Sequence, residues 1–322
     1  MAKRKKYKLK PDILLYIAVI IVIIFIANKG INAYKTHKYH QTTEYKLLES
    51  GYSKKEIKLL SKYLKEKDLQ KLIGKKKDNL LLNLMSNKYY LNKNLNAYKE
   101  YADLNSSKTL EDVIKDVNIR HNYAYYENTI KTDTELEYAM LVNKYYYLTE
   151  EYAPDDLVTI STKYSWGSSG SQKVRKAAYD AYLKMHDAAN QEGIYLMVNS
   201  SYRDYKSQER VYNNYKTNHG EEYADKIAAR PGFSEHQTGL ALDIFSLNAS
   251  TQATFKDTDA YKWLKENSYK YGFILRYPEG LEKTTGYNFE SWHYRYVGEE
   301  LAKKIYESNL TFDEYYAYYI EK

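Results

Sequence analysis

The stretch FSEHQTGLALDI, residues 233–244, decides how the chain is read. It divides at Gly239, where the loop breaks. From Leu240 the apolar residues alternate, so Leu240, Leu242 and Ile244 share one face of a strand while Ala241, Asp243 and Phe245 share the other. The alternation predicts that Asp243 turns away from the face that Leu242 buries. His236 lies just before the strand, where the chain can bend it toward the same side. An imidazole and a carboxylate brought together in this way are half of a metal site.

The other half must come from elsewhere, and the candidates are few. Histidine occurs only at 37, 40, 121, 186, 219, 236 and 293. His37 and His40 follow an apolar N-terminal run, and His186 falls within a regular helical pattern; all three read as solvated or packing residues. His121 and His219 have no acidic partner at a telling spacing. His293 does, in the sequence Glu290, Ser291, Trp292, His293, at the start of a strand whose apolar face is Trp292, Tyr294 and Tyr296. A turn at Ser291 lets Glu290 and His293 reach one cavity.

His236, Asp243 and His293 then supply two imidazoles and one carboxylate, the donor set of a catalytic zinc that keeps a fourth position for water. Glu290 is left as a spare carboxylate beside the metal, able to take a proton from that water and return it to a leaving amine. Any one of these histidines alone would be read as structural. The combination of roles is what carries the reading. The chain has eight arginines against forty-one lysines, so an arginine marks a place where a planar, bidentate donor matters. Arg203, Arg210, Arg230, Arg276 and Arg295 all lie in the segment that holds the candidate site.

Composition narrows the function classes. With no cysteine, disulfides, thiolate ligands and cysteine nucleophiles are excluded together, and a metal must be held by nitrogen and oxygen. The formal charge of +7 does not imply a nucleic-acid surface: Lys3, Arg4, Lys5, Lys6, Lys8 and Lys10 supply +6, leaving 7 − 6 = +1 for the rest. A basic cluster directly before the apolar run Ile13 to Ala27 is the positive-inside pattern. Those residues alone span only about 22 Å as a helix, short of the roughly 30 Å hydrocarbon core, but Pro11 to Gly30 reaches it. No small-x-small cleavage site follows, which favours a retained single-pass anchor over a cleaved signal, with the bulk of the chain outside the cell.

Four regions are expected: a cytoplasmic basic segment (1–10), a transmembrane anchor (11–30), a helical stalk or accessory module (31–138) and a catalytic domain (139–322). In the module, SKKEIKLLSKYLKEK (53–67) has a possible capping box in Ser53 and Glu56 with an apolar stripe of Ile57, Leu60 and Leu64, and TLEDVIKDV (109–117) repeats the style. Beyond Pro154, helices are expected over 172–191, 204–215, 221–229 and 258–272, with strands at 194–198, 240–245, 273–276 and 292–297 and a helix following the last of these. Mixed elements without a regular βαβ rhythm give an α+β fold: a small antiparallel sheet flanked by helices.

The strings SSYRDYKSQ, ARPGFSEHQTGLALDI, GFILRYPEG and TTGYNFESWHYRYVG, and more loosely LVNKYYYLTEEYAPDDL, resemble the VanY-type zinc D-alanyl-D-alanine carboxypeptidases and the related LdcB-type L,D-carboxypeptidases, over residues 139–322. The resemblance implies the hedgehog-like zinc peptidase fold, His236, Asp243 and His293 as zinc ligands, and Glu290 as general base and acid. It also implies that Arg203 steadies the substrate carbonyl and that Gln208 and Ser234 hold the substrate's terminal residue. The implied substrate is the stem peptide of peptidoglycan, reached from a membrane anchor. Whether the chain cuts between two D-alanines or trims a tetrapeptide to a tripeptide stays open, since both groups share these motifs. A non-catalytic wall-binding module has no need of a spare base, and a cross-bridge endopeptidase fits poorly with an anchor.

Overall fold

The computed structural model describes residues 10–166, 172–247 and 252–321; the expected basic segment, apart from Lys10, lies outside the described residues. Pro11–His40 is one helix of 30 residues with Pro11 in its first turn, where a missing N–H leaves no bond unmade. None of its side chains is buried, and it is long and apolar enough to cross a membrane.

The chain folds as two compact units that divide between Asn92 and Lys93. The first is helical beyond the N-terminal helix, with Thr43–Glu49, Lys54–Tyr63, Glu66–Gln70 and Asn79–Ser86 closing over Leu47, Leu60 and Leu84. Ser53 and Glu56 form the reciprocal capping box. The helix they start ends at Tyr63, short of residue 67, because Leu64 is extended and a new helix begins at Glu66.

The second unit, Lys93–Lys322, begins upstream of residue 139. Its helix Leu110–Asn118 and the loop after it pack on the segment that follows: the Tyr145 hydroxyl donates to the Tyr123 carbonyl, and the Tyr126 amide to that of Lys144. A short parallel ladder joins β1 (Ile130–Lys131) to β2 (Tyr146–Tyr147). An antiparallel pair joins β3 (Leu157–Thr159) to β4 (Lys173–Arg175). The helix expected from 172 therefore starts at Lys176 and runs to Gln191. Residues 173–175 are taken instead by the ladder with β3, and the Arg175 amide bonds the Gly239 carbonyl. Tertiary pairing overrides local helical preference here.

The central sheet is antiparallel, as expected, with β5 (Leu196–Ser200), β6 (Ala241–Ser246), β7 (Phe273–Leu275) and β8 (His293–Tyr296) in the order β5-β6-β8-β7. Leu196, Val198, Leu242, Ile244, Phe273 and Tyr294 share the core with Ala178, Tyr182 and Met185 of the helix that covers them. The opposite face of β6 is buried too, so the alternation read in residues 240–245 separates two buried environments rather than core from solvent. Helices Tyr205–His219 and Glu221–Ile227 follow β5, and Glu299–Ser308 follows β8.

Candidate metal centre

The register of the sheet assembles the site. Asp243 of β6 pairs directly with His293 of β8, and with Ser200 of β5 across a register shift between Val198 and Ser200. Residues opposed in an antiparallel ladder project to the same face, so Ser200, Asp243 and His293 form one row while Leu242, Leu275 and Tyr294 form the row that faces the core. His236 arrives from the 3-10 turn Glu235–Thr238, which Gly239 ends at φ +67°, in the left-handed region. A Cβ at Gly239 would lie 3.0 Å from both the Arg175 and Leu157 side chains, so the turn is held open for glycine by crowding as well as by its dihedral.

His236, Asp243 and His293 each offer a ligand atom within 4.8 Å of the other two, and all three are buried. His236 Nε2 lies 3.5 Å and His293 Nδ1 3.2 Å from Asp243 Oδ1, with the two rings nearly perpendicular. Asp243 Oδ1 is nevertheless a buried oxygen with no hydrogen-bond partner among the described residues. An orphaned carboxylate oxygen between two imidazole nitrogens is the arrangement that a cation completes, so the donor set fits a zinc ion. The other nitrogen of His236, Nδ1, is 2.6 Å from the Ser201 carbonyl, which leaves Nε2 as its free donor atom.

Burial alone would raise the Asp243 carboxyl, but the two imidazoles outweigh it and hold it well below the usual range. Burial pushes His236 down to about 4. His293 goes the other way, to about 9, because Asp243 and Glu235 overcome the cost of burying its charge. Glu290 stands 3.6 Å from His293 Nδ1, with its amide bonded to the Tyr277 carbonyl. Burial pushes its carboxyl up to about 7, where a group can both take and give a proton near neutrality.

These groups open on a cleft of about 390 Å³, lined also by Arg203, Gln208 and Ser234. Arg203 donates from Nε to Gln208 Oε1 at 3.0 Å and from Nη1 to Ser200 Oγ at 2.6 Å. Gln208 in turn donates to the Ala229 carbonyl, so its amide fixes the guanidinium as well as lining the cleft. The Ser234 hydroxyl accepts from the His236 amide and caps the turn that presents the imidazole. All seven residues singled out in the sequence thus meet in one place. The remaining histidines do not: His186 packs edge-on against Tyr164, His121 lies against Tyr125 and Tyr145, and His219 ends a helix beside Tyr223.

Sequence reasoning missed Glu235, whose fully buried carboxylate lies between Arg276 and Arg295 and 3.3 Å from His293 Nε2. It missed Asp313 as well, which pairs with Arg276 from near the C-terminus. The concentration of arginines near the site was the available signal; their partners were not legible.

Residues 171–299 match the family model described as VanY, D-alanyl-D-alanine carboxypeptidase. A D-alanyl-D-alanine carboxypeptidase of Enterococcus faecalis is 40% identical over 144 residues, 42% of this chain and 52% of that protein. The chain spans between about half and two thirds of the curated relatives it matches. Among solved structures, the LdcB LD-carboxypeptidase is 43% identical, with 55% of this chain and 85% of that one covered and a TM-score of 0.52. A mutant of the vancomycin resistance D,D-pentapeptidase VanY from a VanB-type cassette, in complex with Zn(II), is 34% identical over 56% of this chain and 99% of that one, with a TM-score of 0.48.

Proposed function

Because this chain belongs to the VanY family of D-alanyl-D-alanine carboxypeptidases, we propose that it is a zinc-dependent D,D-carboxypeptidase that removes the terminal D-alanine from peptidoglycan stem peptides. The observation that carries the reading is the convergence of His236, Asp243 and His293 with Glu290 and Arg203 on one cleft. His236 through Nε2, Asp243 through its carboxylate and His293 through Nδ1 would hold the zinc. When bound, zinc supplies Lewis acidity, which acidifies a water and polarises the scissile carbonyl.

The chain's own residues do the rest. Arg203, fixed by Gln208 and Ser200, donates to the substrate carbonyl oxygen as negative charge grows on it. Glu290 accepts the proton of the attacking water while the new carbon–oxygen bond forms. It then passes that proton to the amide nitrogen as the carbon–nitrogen bond breaks, releasing free D-alanine. Gln208 and Ser234 line the cleft where the terminal residue is held. The carboxypeptidase domain is residues 139–322, packed with 93–138. The apolar helix Pro11–His40 is a membrane anchor that keeps the site on the outer side, next to the wall.

A second reading, an L,D-carboxypeptidase that trims tetrapeptide to tripeptide, is favoured by the 43% identity and shared fold with the LdcB enzyme. Incubating the full chain with penta- and tetrapeptide stems, with and without chelator, and weighing the products separates the two. Loss of one D-alanine from the pentapeptide, abolished by chelator, is the expected result. No product from either stem would overturn both.

A further inference from the structure

The two imidazoles facing Asp243 are held from behind in different ways. His236 Nδ1 meets a backbone carbonyl, that of Ser201, whereas His293 Nε2 meets the carboxylate of Glu235. That carboxylate is itself fixed. Its Oε1 accepts from Arg276 Nε at 2.8 Å and from Arg295 Nη1 at 3.0 Å, and the side chains of all three residues are wholly inaccessible to solvent.

Arg276 also forks onto Asp313, Nη1 to Oδ2 at 2.6 Å and Nη2 to Oδ1 at 3.0 Å, and Asp313 accepts from Asn143. Arg295 spends its remaining donors on the carbonyls of Met140, Tyr138 and Tyr296. Two guanidinium groups and two carboxylates therefore cancel in charge, with their hydrogen-bonding groups engaged, as a buried ionic cluster must if it is to be tolerated. The one Glu235 oxygen not taken up by an arginine, Oε2, faces the imidazole.

We propose that Glu235 is the positioning residue of the metal centre: it holds the His293 proton on Nε2, so that Nδ1 presents its lone pair toward Asp243 and the metal. The inference rests on the reading of His293 as a zinc ligand. An ionised carboxylate can only accept, so the ring nitrogen it meets must donate. In an imidazole with one proton the other nitrogen is then free to ligate. Arg276 and Arg295 keep Glu235 ionised and in register, and Asp313 balances Arg276 from a segment far along the chain. The function of this buried cluster is thus to fix which nitrogen of a single histidine is available.

The test compares Glu235→Gln with Asp313→Asn in the full-length chain. In the first variant the amide oxygen keeps the arginines while its NH2 turns to His293, which forces the proton onto Nδ1. Zinc affinity, measured by competition with a chromophoric chelator, should fall by roughly 10- to 100-fold, the usual effect of removing a metal ligand's outer partner. Asp313→Asn damages the same cluster without touching the imidazole, so it should lower the melting temperature and leave zinc affinity close to wild type. In the zinc-loaded wild-type chain, 15N spectra of labelled histidine should show His293 protonated at Nε2, a readout that needs no variant. Unchanged affinity in Glu235→Gln, an equal loss in Asp313→Asn, or a proton on Nδ1 would each overturn the proposal. A wild-type chain that takes up no zinc would overturn the metal reading along with it.

Discussion

Asp243 and His293 stand directly opposite each other on the antiparallel strands β6 and β8, with Oδ1 and Nδ1 3.2 Å apart. The pairing makes the site a property of sheet register: a slip of one residue would send Asp243 to the core face occupied by Leu242 and Tyr294. The ladder positions Asp243 and His293, and the turn before β6 positions His236. If they hold zinc, Asp243→Asn, His236→Ala and His293→Ala should each leave bound zinc well below one per chain after dialysis, measured by elemental analysis. Full occupancy in any of the three would mean that the ligand set is different.

Glu290 touches the metal centre without belonging to the cluster of three donors. Glu290→Gln should therefore retain zinc while turnover falls by at least about 10²-fold, the lower end of what a positioned acid–base group contributes. Substantial turnover at full zinc occupancy would remove the group from the proton-transfer role.

Among the described residues the Arg203 guanidinium forms no ion pair, and its hydrogen bonds go to the neutral side chains of Gln208 and Ser200. The guanidinium lines the cleft beside Asp243 and Glu290. Arg203→Ala should lower kcat by about 10²- to 10³-fold, as loss of one oxyanion donor does, with zinc content unchanged. A variant that only raised KM would place the arginine in ground-state binding instead.

In the helical module, the hydrogen bond from Lys77 at 2.6 Å, together with the Ser53 cap, holds the Glu56 carboxyl down at about 2. A carboxylate whose pKa is lowered by folding contributes stability above its unfolded pKa, about 4.3, and loses it as pH falls through the folded value. Glu56→Gln should thus melt below wild type at pH 6, with the difference shrinking below about pH 4 and lost as the pH falls past about 2. A difference that persists at low pH would assign the effect to the cap rather than the charge.

Much of the centre was legible because its donors lie in short motifs with a definite local geometry. Alternation in residues 240–244 fixed which face Asp243 takes, and the turn at Ser291 put Glu290 near His293. Local pattern misled where a distant partner won. Residues 173–175 look helical but are claimed by β3, and the helix that Ser53 caps stops early because Leu64 is extended and a new helix begins at Glu66. The compact unit that holds the candidate site takes in residues from Lys93 onward, through contacts such as that between Tyr123 and Tyr145, which no periodicity announces.

By itself, then, the amino-acid order determined the apolar N-terminal helix, the capping box and the strand faces, and offered the candidate donors in two short motifs, because each depends on neighbours a few residues apart. Only the tertiary structure decided that Glu235 would lie between Arg276 and Arg295 and behind His293, and that Asp313 would complete their charge balance. The physical reason is burial. A carboxylate and two guanidinium groups can leave water together only where the packed chain brings their hydrogen bonds to completion, and that meeting is set by sheet register and helix packing.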